Sequence, residues 1–189
     1  QSASAPDVAL KRAHAALRDD PTLIPAATLA ARLMFDRNQA LRASRLLAKT
    51  WRLRPHPALA RQYAYSQADI APQERYRRLR TLTRSNPDHP ESQYALAAAA
   101  AEAKNWSEAK RHAKPLAANP TVRVCKLMAT IAWGEDANEA LARSWLARSL
   151  AAQADACWTE NGAALPDWVA RSPITGEVGV CVWDVHSFG

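Results

Sequence analysis

The chain has 189 residues, 48% of them hydrophobic, with 25 Lys+Arg against 18 Asp+Glu. That is enough for one or two domains with a real core, and a hydrophobic share dominated by Ala and Leu favours helix over sheet. No stretch approaches the ~18 apolar residues of a membrane span, and Cys125, Cys157 and Cys181 are too scattered for a disulfide scaffold, so a reduced setting is expected while a Cys157–Cys181 bridge stays open.

The start, Gln1-Ser-Ala-Ser-Ala-Pro6, lacks the charged end and apolar core of a signal peptide, and a first residue other than Met reads as a fragment or processed product. Residues 7–20 read as the second helix of a pair whose first helix is missing. From there the chain repeats. Pro21, Pro55, Pro87 and Pro120 follow one another at intervals of 34, 32 and 33 residues. Ahead of each lie small or apolar residues at matching distances: Ala9, Ala13 and Ala16; Ala43, Leu47 and Thr50; Leu79 and Leu82; Ala109, Ala113 and Leu116. Ala142, Leu146 and Ser149 form a further copy without its proline. Between these copies fall helices over about 24–36, 57–69, 90–104 and 122–133, each with a small residue for close approach (Ala31, Ala64, Ala97, Ala129). Each proline ends a second helix and turns the chain into the next pair, and Asp88-His-Pro-Glu91 reads as a helix start. Pro115, inside a second helix, predicts a kink or an early end there.

This period and small-residue spacing resemble the tetratricopeptide repeat. They imply an all-α solenoid of about four and a half helix pairs over residues 1–155, with second helices on the convex side and first helices lining a concave groove. Setting the register by the small residues places Thr28, Arg32 and Asp36 in that groove, then Arg61, Tyr65 and Asp69, then Tyr94 and Glu102, then Arg123, Lys126 and Trp133. Arginine for carboxylates and aromatics for anchor side chains suit the capture of a partner segment.

Residues 156–189 differ. They hold one Arg against four acidic residues, leaving the basic excess to residues 1–155, with 24 Lys+Arg against 14 Asp+Glu. They also hold Trp158, Trp168, Trp183 and four of the five glycines. Val178–Val185 reads as a strand after a turn, in a small Trp-rich, β-containing module that needs the last helices to pack on.

The stretch from Arg123 through Trp133, the run Ala142–Ala151 and Asp155-Ala-Cys-Trp158 resemble the C-terminal soluble part of the HemY family, bacterial inner-membrane tetratricopeptide-repeat proteins associated with haem biosynthesis. Asn86–Glu91, Asn105–His112, Gly162, Trp168, Ser172–Gly176 and Trp183 extend the likeness. It implies a non-catalytic scaffold at the cytoplasmic face of the inner membrane, an anchor outside this chain, and partners among haem-pathway enzymes or membrane proteins. It also implies a tail resembling a rubredoxin or zinc ribbon. Here the knuckle positions read Thr159-Glu160-Asn161-Gly162 and Ser172-Pro-Ile-Thr175-Gly176, with no thiolate pair, so no metal is expected.

His14, His56, His89, His112 and His186 form no zinc or haem-attachment motif and read as capping or surface residues. No nucleophile elbow, P-loop or dinucleotide fingerprint is present, so neither catalysis nor a cofactor is predicted. Arg42, Arg45, Lys49 and Arg52 share one helix face, opposite Leu46, Leu47 and Leu53, and Arg75, Arg77, Arg78, Arg80 and Arg84 crowd the next second helix. These faces suit solvent or anionic lipid headgroups. Nucleic acid is disfavoured because no aromatics are interleaved with them. An alternative to the scaffold is a haem or porphyrin carrier using a pocket between the last repeat and the C-terminal module.

Overall fold

The computed structural model describes residues 4–66, 69–172 and 175–185. Among them nine α-helices precede a three-stranded antiparallel sheet, so the chain is mostly helical, as expected. Helix α1 (Ala5–Asp19) stands before four further pairs: α2 (Ile24–Phe35) with α3 (Ala40–Leu53), and α4 (Pro57–Tyr65) with α5 (Pro72–Leu82). After these come α6 (Pro90–Glu102) with α7 (Trp106–Ala113), and α8 (Val122–Asp136) with α9 (Glu139–Ser149).

Starts and stops follow local chemistry. Pro57, Pro72 and Pro90 open their helices, where a missing N–H is harmless. His56 and His89 cap α4 and α6, each Nδ1 accepting the backbone N–H two residues on at 3.1 Å. Helix α7 ends two residues before Pro115 and passes into a 3₁₀ turn over Lys114–Ala117, the early end that proline imposes. All four expected helix ends shift, α6 ending early at Glu102 and α8 running on to Asp136. Helix α2 stops at Phe35, leaving Asp36 as its C-cap, and α4 stops at Tyr65, so Asp69 lies beyond it; Gln67 and Ala68 are outside the described residues.

Each helix packs on the next in sequence, and α2 also packs on α4, α4 on α6 and α6 on α8. The even-numbered helices therefore line one continuous face. Alanine makes this close packing possible: Ala31, Ala64 and Ala97 are fully buried and Ala129 nearly so, with Leu47, Trp51, Leu59 and Leu79 filling the space between layers. Gly134 of α8 leaves room for the Trp106 ring of α7, since a Cβ there would lie 2.2 Å from that ring.

The sheet has β1 (Ala156–Glu160) at its centre, β2 (Ala163–Ala164) on one side and β3 (Val182–Val185) on the other, with Trp158 opposite Trp183. The strand expected over Val178–Val185 is shorter, because Val178 instead bridges to Arg171; His186 and Gly189 are outside the described residues. The module's placement also corrects the expectation that it rests on the last helices. The chain leaving α9 is tied to the start of α8, where the Val122 N–H donates to the Gln153 carbonyl at 3.1 Å and the Arg123 N–H to Asp155 Oδ2 at 2.9 Å. From there β1 carries Trp158 to the start of α4. The Trp158 and Trp183 rings lie 5.4 and 4.2 Å from His56 and 5.2 Å from each other. Helix starts along the even-numbered layer are near neighbours, which is why a tail tied to the start of α8 reaches α4.

Candidate partner-binding groove

The even-numbered face carries two adjoining cavities, and Arg61 on α4 borders both. The cavity between α4 and α6, about 390 Å³, has a floor of Ala60, Leu79, Ala95 and Ala98 and walls of Tyr65 and Tyr94. Its polar rim is Arg61, Glu91 and Glu102. The walls are held from behind. The Tyr65 hydroxyl donates to Glu102 at 2.6 Å, and Arg75 lies 4.8 Å over the Tyr65 ring with its Nη1 3.4 Å from the same carboxylate. Burial, and then the Glu102 hydrogen bond, push the Tyr65 phenol well above its ordinary range, so it stays a donor. Arg123 stacks over Tyr94 at 4.3 Å.

Arg123 is itself paired within the chain. Both its terminal nitrogens hydrogen-bond the Glu91 carboxylate, Nη1 at 3.0 Å, and its Nε is 3.3 Å from Asp155. Burial disfavours the Arg123 charge, but the Glu91 hydrogen bonds and the Glu91 and Asp155 carboxylates outweigh that, raising its pKa. This network joins the starts of α6 and α8 to Asp155, the residue just before the tail. Arg123, expected in the groove, is thus ion-paired to two carboxylates of this chain.

The second cavity, between α2 and α4, measures about 470 Å³. Thr28, Leu29 and Arg32 line it from α2, Ala58, Arg61 and Gln62 from α4, and Trp158, Asp167 and Trp168 from the tail. Thus, of the residues expected in the groove, Arg32, Arg61, Tyr65, Tyr94 and Glu102 converge on this pair of cavities. Asp36 and Asp69 do not; both are exposed past the ends of their helices. Lys126 and Trp133 lie apart, in a shallow depression between α8 and α9 that also takes in Arg143 and Leu146. Glu91, Gln62, Asp167 and the two tail tryptophans were missed. Glu91 read as a helix-start acid, and nothing in the spacing tells where a tail folds back.

The knuckle-like turn survives as a hydrogen-bonded turn. Ser172 is buried, donates its hydroxyl to Glu160 and accepts the Thr175 N–H at 2.7 Å, while Gly176 takes a φ of +76°. Pro173 and Ile174 of this motif are outside the described residues. Among the described residues there is no group of three metal-ligating side chains, and Cys125, Cys157 and Cys181 are free thiols. Cys157 faces Asp184 across the sheet rather than Cys181.

On the opposite face of the helices, Arg42, Arg45, Lys49 and Arg52 are all exposed, as is Leu53 at its end of α3. Arg75 departs from the expected basic cluster, turning to Tyr65 and Glu102. Among the described residues no helix is long and apolar enough to cross a membrane.

No family model matches the chain. It is similar to a magnetosome protein. Over 178 residues, 92% of this chain, it is 28% identical to the probable magnetosome protein Mms48 of Magnetospirillum gryphiswaldense. The chain spans 40% of that protein's length.

Proposed function

We propose that the helical array is a tetratricopeptide-type solenoid and serves as a non-catalytic scaffold, holding a partner segment along the α2–α4–α6 face. The cavity between α4 and α6 supports this most directly. Its apolar floor and two tyrosine walls, fixed in place by Glu102, Arg75 and Arg123, form a preorganised seat for a side chain. On the HemY resemblance, the proposed partners are haem-pathway enzymes or membrane proteins, and the proposed setting is the cytoplasmic face of the bacterial inner membrane. The likeness to Mms48 adds the magnetosome as a second setting for the same kind of scaffold. The exposed cations of α3 suit anionic headgroups beside such a membrane, at about 1 kcal/mol each.

The porphyrin-carrier alternative is less well supported. The cavity bordered by the tail lies on α2 and α4 instead of the last repeat, and among the described residues neither histidine nor cysteine lines it.

The test is affinity capture from detergent-solubilised bacterial membranes, with the chain as bait beside Ala98→Trp, which fills the α4–α6 cavity, and Arg18→Glu on the far helix α1. Partners retained by wild type and Arg18→Glu and lost from a folded Ala98→Trp are expected. Equal recovery by all three baits would end the scaffold reading.

A further inference from the structure

Resting on that groove reading, we infer that the partner segment carries one carboxylate side chain and, about three residues along, one bulky apolar side chain. The carboxylate is received at the α2–α4 cavity, walled by the C-terminal module, and the apolar group enters the α4–α6 cavity.

The two cavities differ in electrostatic state. Arg32 and Arg61 border the first, both exposed, and among the described residues neither makes an ion pair. Arg75 and Arg123, which flank the second, are already matched to Glu102, Glu91 and Asp155. Among the described residues the single acid lining the first cavity is Asp167, whose Oδ1 accepts the N–H of its own neighbour Trp168 at 2.7 Å. Two guanidinium groups against one carboxylate leave that cavity positive. A guanidinium is also weakly hydrated and presents paired donors, the arrangement that carboxylates bind best.

Glu91 and Glu102 rim the second cavity, so a continuous run of acids is disfavoured there, and its alanine and leucine floor accepts apolar bulk. The spacing follows from geometry. Neighbouring packed helices stand about 8–10 Å apart, and an extended chain advances about 3.3 Å per residue, so adjacent interhelical seats are about three residues apart. The tail takes part because Trp158 and Trp168 wall the first cavity. Trp158 is held there by its contacts with His56 and Trp183.

Fluorescence anisotropy tests this with a fluorescein-labelled Gly/Ser peptide bearing one Asp and, at the inferred spacing, one Phe. Companion peptides carry Asn for Asp, Ser for Phe, or the pair at doubled spacing, and polyglutamate serves as a plain polyanion. Each companion should bind wild-type chain about tenfold more weakly, as loss of one charged hydrogen bond or one anchor predicts. Arg32→Glu and Trp168→Ala should weaken the Asp peptide by a similar factor, and Arg32→Glu should cost the Asn peptide little further. The inference is overturned if the Asp–Phe peptide binds no better than polyglutamate, if spacing is immaterial, or if Arg32→Glu costs both peptides equally. Capture lost in Ala98→Trp while the peptide series is flat would leave the groove reading standing and remove only this inference. Failure in both experiments removes both.

Discussion

His56 holds the C-terminal module against the start of α4, and the same burial makes that hold sensitive to acid. The His56 side chain is buried at 2% exposure, its Nδ1 receives the Ala58 N–H, and its ring packs against both Trp158 and Trp183. Burial, then the charges of Arg54 and Arg123, lower its pKa from 6.5 to about 4. The unfolded chain therefore takes up this proton at higher pH than the folded chain does. Stability from this site is fully present above pH 6.5, declines as pH falls below that, and is lost by about pH 4. Between those limits it amounts to about 3 kcal/mol, and at pH 5 about 2 kcal/mol is already gone. Urea unfolding at pH 7 and pH 5, followed by tryptophan fluorescence, would compare wild type with His56→Asn, which retains a capping acceptor. The variant loses ring packing at every pH, so its stability is lower throughout, and the slope against pH is the discriminating quantity. Burial also lowers the pKa of His112, and that residue weakens both proteins equally on acidification. The difference in slope isolates His56. Equal losses of stability from pH 7 to pH 5 in the two proteins would refute the account.

Two further perturbations probe the packing. Arg123→Ala leaves Glu91 and Asp155 facing each other without their shared cation and should cost about 3 kcal/mol in urea unfolding. Arg123→Lys should recover only part of this, because an ammonium cannot reproduce the two-pronged bond; full recovery would argue against the geometry. Gly134→Ala drives a methyl group into the Trp106 ring, and its cost of about 1–3 kcal/mol should exceed the gain of about 1 kcal/mol in helix propensity. The companion Trp106→Leu should make Gly134→Ala neutral or stabilising, as read by thermal unfolding.

Much of the helical part was legible along the chain because its determinants are local. Prolines at the starts of α4 and α6, and Pro115 at the end of α7, act through φ and the missing N–H, whatever surrounds them. Fully buried alanines at a regular interval marked the faces where helices meet, so Arg32, Arg61, Tyr65, Tyr94 and Glu102 could be placed on one side of the array. Asp36 and Asp69 failed at helix ends, where the last turn depends on the loop residues beyond it.

The sequence alone determined a repeating set of helices, from a proline interval of 32–34 residues, and the packing side of each, from small residues spaced a turn or two apart. Which charges stay available was decided only by the tertiary structure. Arg123, the second residue of α8, is neutralised by Glu91 and Asp155, while Arg61, midway along α4, is left open between two cavities. The position of the tail was decided at the same level. Trp158 and Trp183 meet His56 about a hundred residues back along the chain, and no local pattern encodes a contact whose partners come together only after the helices have stacked.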